Sequence, residues 1–582
     1  MQPEEEGESG FTLRACLISI LLTVFLLVTS SYIALKLGAL PWPIIFSVIV
    51  SGALLQLVSR VSRKTNRHEM NVAQAGGTIG GLLASGVVFT IPGILYLQSK
   101  GVSVSMPGVL TLAAVCVTAG VLGVLLSVPV RRVFVDEERL PYPSGTAGAG
   151  VIKAEAHLGR DTFYVALALS ITGMFVLLRE MFFPAGWSLS VMPEIGLALA
   201  LYPMPMAIGI GYILGHKASV NSWFFGSFLG WLVLIPLLAA FYGVAPGAGS
   251  AMMQNAGMGM VIGAGIGFFL SYVVPRAKSI FMPLFRWKGM PWYTKITPVF
   301  SVAAFIVLSL VGVHPFASLI AVLGVWIMVS VAGMMTGETD IDPLEQFGII
   351  IGLIALGAFA AFGMSLDYLS AFLIVCFVSI ASAVAGDIGH DYKSAKLIGT
   401  KAKDIIKVDM IAVVVAGLLA PFVLGMIVAS YGKDFFTPAM PAPQAQMVAG
   451  SIFGFAHPWV FMAGFLLAFV WVVLENLSKK RAPVIPMVFG IGLFLGVTLG
   501  LLLAIGGIIR YLTDRKKSGI FAAGIVLAAG IMGGEGIAGF SSKAMLVAGV
   551  PDIFSNGLLF GVFAIILIMA MLLWRRGNAV KR

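Results

Sequence analysis

Long apolar runs recur through nearly the whole chain, and no other feature constrains its fold as much. Runs at about 11–34, 41–58, 69–98 and 106–130, and about thirteen more downstream, each approach the ~20 residues that an α-helix needs to cross a bilayer. Of the 582 residues, 59% are hydrophobic and 11% charged, where a soluble domain carries about 25% charged residues. In lipid, every backbone N–H and C=O must find a partner within the protein, which admits helices and closed barrels only. Runs of this length predict helices, so the expected fold is all-α, a polytopic membrane protein.

The net charge of +11 does not point to nucleic acid. Arg60, Arg63, Lys64 and Arg67 sit between apolar runs, as do Arg131 and Arg132, and the basic residues from Arg276 to Lys295. Basic residues in short loops set orientation by lying on the cytoplasmic side. That pattern predicts a multi-pass protein of the cell membrane with both termini cytoplasmic. Met1 to Gly10 is acidic and lacks the basic start of a signal peptide. Cys16, Cys116 and Cys376 lie in apolar runs without paired spacing, which predicts neither a disulfide framework nor a zinc site.

Polar inserts interrupt the runs. In Glu138–Gly150, Pro141 and Pro143 hold Leu140 and Tyr142 extended, and Ser144 is placed to cap a short helix running toward Lys153. Such a segment lines a protein-enclosed cavity or forms an ordered cytoplasmic loop. Asn71 and Gln74 are three apart and share a helix face, as cavity lining or as interhelical hydrogen bonds at a helix entry. Glu338, Asp340 and Asp342 suit cation binding or acid–base work, or else a solvated capping loop with Asp342 as an N-cap before Pro343. Asp387, His390 and Asp391 have the near-helical spacing of a metal site, but the surrounding run is lysine-rich and has no Cys or second His. Neither a metal nor a cofactor is expected. Pro203 and Pro205 break a span at 193–214. The run Pro483–Ile509 has basic clusters on both flanks; it reads as a re-entrant hairpin turning at Gly490, Gly492 and Gly496, or as one tilted span.

The basic connector 275–296 divides the chain into halves 11–274 and 297–574, with tails 1–10 and 575–582. Phe182-Phe183-Pro184-Ala185 in the first half is echoed by Phe435-Phe436-Thr437-Pro438-Ala439 in the second. Two related halves with broken or re-entrant helices point to a transport site at the half interface.

The inserts Glu138–Gly150, Gly337–Pro343, Gly386–Gly399, Pro441–Gln446 and Gly530–Gly539, in that order, resemble the oligopeptide transporter family, which includes the yellow stripe-like metal-chelate transporters. The resemblance covers about residues 69–540, and Pro441-Ala442-Pro443-Gln444-Ala445 is similar to the bacterial and archaeal members. It implies about sixteen transmembrane helices and secondary, proton-coupled uptake of small peptides or peptide-like chelates.

The residues agree with transport on their own terms. There is no G-x-x-x-x-G-K-[ST] sequence for ATP. A charge at the bilayer centre costs ~2.5–3.5 kcal/mol or more, so an ionisable group inside an apolar run is a functional candidate. Glu535 has glycine and apolar residues on both sides and is the expected carrier of the coupling proton. Glu180 and Glu475 lie nearer span ends, and Arg179 pairs with Glu180 or snorkels. Asn71, Gln74, Tyr142, Ser144, Gly145 and Gln444 are the expected substrate-binding residues around one central cavity, because tyrosine and amide groups suit a zwitterionic peptide. The expected partners are thus a small peptide, protons and the lipid bilayer; the oligomeric state stays open, with a homo-oligomer allowed. Metal-chelate uptake is the alternative. An ion-pumping pyrophosphatase is the alternative of another class, but it needs many carboxylates around Mg²⁺ and phosphate, and Asp340, Asp342, Asp387 and Asp391 are few and lie among lysines.

Overall fold

The computed structural model describes the chain apart from residues 1–6, 39, 41–43, 60–61, 154–157, 184–186, 193–196, 279–294, 341, 343, 438–439, 479, 481, 516–517, 548–549, 551 and 580–582. The Pro41-Trp42-Pro43 turn and most of the 275–296 connector lie outside the described residues. Among the described residues, thirteen helices are long and apolar enough to cross a membrane, and shorter apolar helices occur at Phe46–Ser59, Thr297–Leu310, Pro486–Leu495 and Ser555–Met571. The fold is all-α and polytopic, with one short hairpin.

The chain forms two compact units, each drawn from two separate stretches: 1–162 with 277–453, and 163–276 with 454–582. The first unit contains α1 (Leu13–Leu37), α2 (Ile44–Ser59), α3 (Arg67–Val88), α4 (Pro92–Ser99), α5 (Val109–Arg131) and α6 (Pro143–Lys153). The second unit takes in most of α7 (Leu158–Phe182), the hairpin β1 (Trp187–Met192) with β2 (Leu197–Leu201), α8 (Pro205–Ala218), α9 (Ile235–Tyr242) and α10 (Pro246–Phe268). The first unit resumes with α11 (Thr297–Leu310), α12 (Pro315–Thr339), α13 (Leu344–Ala361), α14 (Tyr368–Ile398), α15 (Ala402–Tyr431) and α16 (Pro443–Phe453). The second ends with α17 (Pro458–Ser478), α18 (Pro486–Leu495), α19 (Val497–Asp514), α20 (Ser518–Val547) and α21 (Asp552–Ala579).

In the first unit α14 is the central post. It packs against α3, α5, α6, α12 and α13, and 94% of its most apolar window is buried, as is that of α3. By contrast only 11% of α17 is buried in the second unit, where Leu466, Leu467, Val470 and Leu474 form a lipid-facing stripe. Small residues let backbones approach α14: a Cβ on Gly123 would stand 2.6 Å from the Ala381 carbonyl oxygen, and one on Gly145 2.3 Å from that of His390.

The two halves repeat one another. Helices α1 and α12 are each 25 residues long and end in a left-handed residue with φ 62° and ψ 20°, Gly38 and Asp340 respectively. Helices α6 and α16 are each 11 residues long and follow Tyr142 at φ 42° and Ala442 at φ 43°. Tyr142 N–H donates to the Gly337 carbonyl at 2.9 Å, and Ala442 N–H to that of Leu35 at 2.8 Å. Both short helices therefore hang on the end of the matching long helix. In the second unit α8 turns sharply at Gly215 (φ 78°, ψ 170°), and α18 gives way to α19 at Gly496 (φ 84°, ψ 172°). Helix α8 packs on α19, and α18 packs on the π-helical turn Ser219–Phe224 that continues α8. Each break thus hands its partner a helix to lie against.

Several expectations need correcting. The Phe182 and Phe435 motifs are not equivalent, since Phe182 ends α7 in one unit while Phe435 follows a 3₁₀ turn after α15 in the other; short Phe-Pro sequences simply recur at helix ends. The expected span at 193–214 is not one helix. Trp187 to Leu201 form the antiparallel hairpin, and Pro205 starts α8 instead of kinking it, because proline at the first helical turn forfeits no hydrogen bond. Pro483–Ile509 is broken, with Gly496 as the break.

The crossings of the broken helices are tight enough to test. A Cβ on Gly492 would lie 2.1 Å from the Trp223 carbonyl oxygen, whereas one on Gly247 meets nothing within 4 Å. Gly492→Val is expected to destabilise the protein by about 1–3 kcal/mol through overpacking. The readout is a lower Tm in detergent, with Gly247→Ala leaving the Tm near that of the unsubstituted protein.

Candidate functional site

Three of the polar inserts meet around the C-terminal half of α14. Helix α3 runs antiparallel to it and zips to it through side chains. Ser394 Oγ donates to Asn71 Oδ1 at 2.8 Å, Gln74 Nε2 to Asp391 Oδ1 at 2.9 Å, and Thr78 Oγ1 to Asp387 Oδ2 at 2.8 Å. Asn71, Gln74 and Thr78 recur at helical spacing on one face of α3, as Ser394, Asp391 and Asp387 do on α14. All six are essentially inaccessible to solvent. Asn66 starts α3 with a capping box, and Glu69 is its reciprocal member. Glu69 also accepts from Thr12, Arg14 and Arg63, so this buried carboxylate has two cations and a cap.

Helix α6 closes the other side. The Tyr142 hydroxyl donates to the Gly333 carbonyl at 2.7 Å, and its ring stands edge-on to the His390 ring, with centroids 5.5 Å apart. Ser144 does not cap α6. It donates through N–H (3.0 Å) and Oγ (2.7 Å) to the Asp340 carboxylate. Gly145 N–H donates to His390 Nδ1 at 3.2 Å, and His390 Nε2 lies 3.4 Å from Asp340 Oδ1. Lys393 and Lys396 on α14 hold the carbonyls of Leu140 and Val135 at 2.7 and 2.9 Å. The insert around Tyr142 is therefore clamped to α12 and α14.

The Glu338–Asp342 segment is not the solvated loop that its charge suggested: Glu338, Asp340 and Asp342 are all half-buried. Asp340 caps α12 in the left-handed region, which an aspartate tolerates better than most residues, and ties it to α6. Both Asp342 oxygens are buried without a hydrogen-bond partner. Burial, with Glu345 and Asp387 nearby, pushes the Asp342 carboxyl well above the usual carboxylate range. On α15, Asp409 is fully buried and neither of its oxygens has a partner; Asp387 and Asp391 are its electrostatic neighbours. Among the described residues, no group of three or more His, Cys, Asp or Glu is arranged to hold a metal ion.

Asn71, Gln74, Tyr142, Ser144 and Gly145 thus belong to one network on α14. Gln444 does not bond to it; its Nε2 donates to the Gly38 carbonyl at 2.7 Å, fastening α16 to the end of α1. Sequence reasoning missed Thr78, Ser394 and Asp409. Asp409 carries a usable signal, a carboxylate inside an apolar run.

Glu535, in the second unit, is alone in sequence and paired in space. Its Oε1 accepts from Arg179 Nη1 at 2.7 Å and its Oε2 from Met206 N–H at 2.8 Å, in the open first turn of α8. Arg179 also donates to Glu180 at 2.8 Å and stacks over Tyr202, with its guanidinium 4.4 Å from the ring centroid. Through these partners Glu535 ties α7, α8 and α20 together. The pairing was hidden because Arg179 lies 356 residues away in sequence. Glu535→Gln should cost about 1.5–3 kcal/mol by weakening the charged bond to Arg179, which keeps Glu180 as its counter-charge, read as a fall in Tm. A second expectation concerns α6. Asp340→Ala removes both bonds to Ser144 and should speed hydrogen exchange at the Ser144 and Gly145 amides, with α3 unchanged.

The sequence model of the OPT oligopeptide transporter protein family matches residues 10–258 and 287–546. A Haemophilus influenzae protein provisionally named an oligopeptide transporter is 24% identical over 86% of this chain and 91% of its own length. The metal-nicotianamine transporters YSL2 and YSL3 of Arabidopsis thaliana are each 21% identical, over 74% and 73% of this chain and 74% and 72% of their own lengths.

Proposed function

The chain belongs to the oligopeptide transporter family, and from that premise we propose that it is a secondary active transporter of the cell membrane, importing small peptides or peptide-like compounds with protons, its termini cytoplasmic. The observation that carries this reading is the α3–α14 zip, a chain of amides, hydroxyls and carboxyls inside a unit otherwise built of apolar helices. Polar groups at such depth are costly and characteristically line substrate and ion pathways. The sequence holds no phosphate-binding loop, which agrees with an ion gradient as the energy source of this reading. Tyr142, which precedes the short helix α6, Ser144 and Gly145 within it, and Asn71 and Gln74 on α3 would serve a peptide backbone by exchanging their present partners for its donors and acceptors.

A second reading, uptake of metal–chelate complexes, is favoured by the relatives named for metal-nicotianamine transport. The metal would then be cargo carried in its chelate, and the same amide and hydroxyl groups would meet the chelate's carboxylates.

Uptake by proteoliposomes separates the readings. With an inward pH gradient, a labelled peptide panel should accumulate above the external concentration, and a protonophore should abolish the accumulation. Accumulation of a labelled metal–chelate complex without any peptide would favour the second reading; equilibration without accumulation would sink secondary active transport.

A further inference from the structure

Three carboxyl groups converge where α3, α14 and α15 pack, and their hydrogen bonding is one-sided. Asp387 accepts from Thr78 and Asp391 from Gln74, each through one oxygen. Asp387 Oδ1, Asp391 Oδ2 and both Asp409 oxygens have no partner. Gln74 supplies an independent sign. Its Nε2 is fixed on Asp391, so Oε1 of the same amide lies beside that carboxyl, fully buried and also without a partner. Only acceptors are left over at these atoms, so what the junction lacks is donors.

Three of the chain's other buried carboxylates show the contrast. Glu69 has Arg14 and Arg63. Asp404 has Ser9 and the N–H groups of Gly10 and Phe11. Glu535 has Arg179 and Met206 N–H. Among the described residues, no lysine or arginine pairs with Asp387, Asp391 or Asp409. Three negative charges with no cation cannot share a buried junction.

We propose that the Asp387–Asp391–Asp409 junction is the coupling-ion site of this transporter and that its ligand is the proton. The proposal rests on the secondary-transport reading above. Protons on these carboxyls would supply the missing donors, and the one on Asp391 lies beside the unpartnered Gln74 Oε1. A sodium ion could also be held by oxygen atoms, and the transport arm of the test separates it from the proton. The charged and titratable groups on the surrounding elements are engaged. On α14, His390 accepts from Gly145 and Lys393 donates to Leu140. On α3, His68 meets Thr400 and Glu8. On α5, Arg131 lies over the Tyr392 ring, and at the end of α12 Asp340 holds Ser144. Lys407 on α15 faces Asp404. Asp342 and Glu345 are further carboxyls, next along from Asp387. The Gln74–Asp391 bond places a proposed substrate contact one hydrogen bond from the proton site, so occupancy of one can be felt by the other.

The test has a spectroscopic arm and a transport arm. Infrared spectra of the purified protein in lipid should contain a protonated-carboxyl carbonyl band at neutral pH. Asp391→Asn and Asp409→Asn should each diminish it, and alkaline pH should convert it to carboxylate. In proteoliposomes Asp409→Asn should lower pH-driven accumulation about tenfold more than it lowers substrate counterflow, within the usual range for coupling between two sites. Replacing sodium with choline should change nothing. A wild-type spectrum without the protonated band, a band untouched in both variants, or accumulation that follows sodium would overturn the assignment. If no substrate moves at all, the transport reading fails, while the infrared arm still decides whether the junction holds protons.

Discussion

A helix that carries Asp387, His390 and Asp391 through an apolar solvent must be sheathed on every side, and the first unit is organised around that requirement. Lipid offers no hydrogen bonds, so each polar group on α14 needs a protein partner. Helix α3 supplies amides and hydroxyls at matching heights. Helix α6 brings its opening amides to Asp340 and His390. Glycines on α5 and α6 admit backbone so closely that a methyl group would collide with an α14 carbonyl. The apolar helices can then face lipid because the polar one does not.

Partners distinguish the buried carboxylates. A carboxylate beside arginine at a helix end is a fastener, as at Glu69 and Glu535. Removing one partner from such a pair is costly, though the pair itself adds little net stability. Carboxyls gathered without a cation are different in kind, because their mutual repulsion must be relieved by something that arrives. The chain keeps fasteners in both units, and three uncompensated carboxyls lie at the junction of α3, α14 and α15, with Asp342 close by.

Much of this was legible in the sequence. The spans were, because helices in lipid must be long and apolar. The shared face of Asn71 and Gln74 followed from helical spacing alone, and the inserts at 138–150, 337–343 and 386–399 were recognisable as a set before they were seen to touch. What failed did so for physical reasons. The hairpin Trp187–Leu201 is built from apolar residues that read equally well as helix, and only pairing distinguishes the two. The partner of Glu535 is set by tertiary packing. The rule that singles out Glu535, an ionisable group inside an apolar run, applies to Asp409 as well.

The interleaved order of the chain affects how the protein is made. Gln74 and Asp391, which bond in the finished unit, are 317 residues apart. At a ribosomal rate of about 5–20 residues per second, that separation is about 15–60 s of synthesis. Throughout that interval α3 sits in or beside the membrane with Asn71, Gln74 and Thr78 lacking their α14 partners, while the first stretch of the second unit is inserted after it. Helix α3 is therefore the segment most in need of temporary shelter during biogenesis, from the insertion machinery or from its early neighbour α1, whose Thr23 already donates to the Gly76 carbonyl.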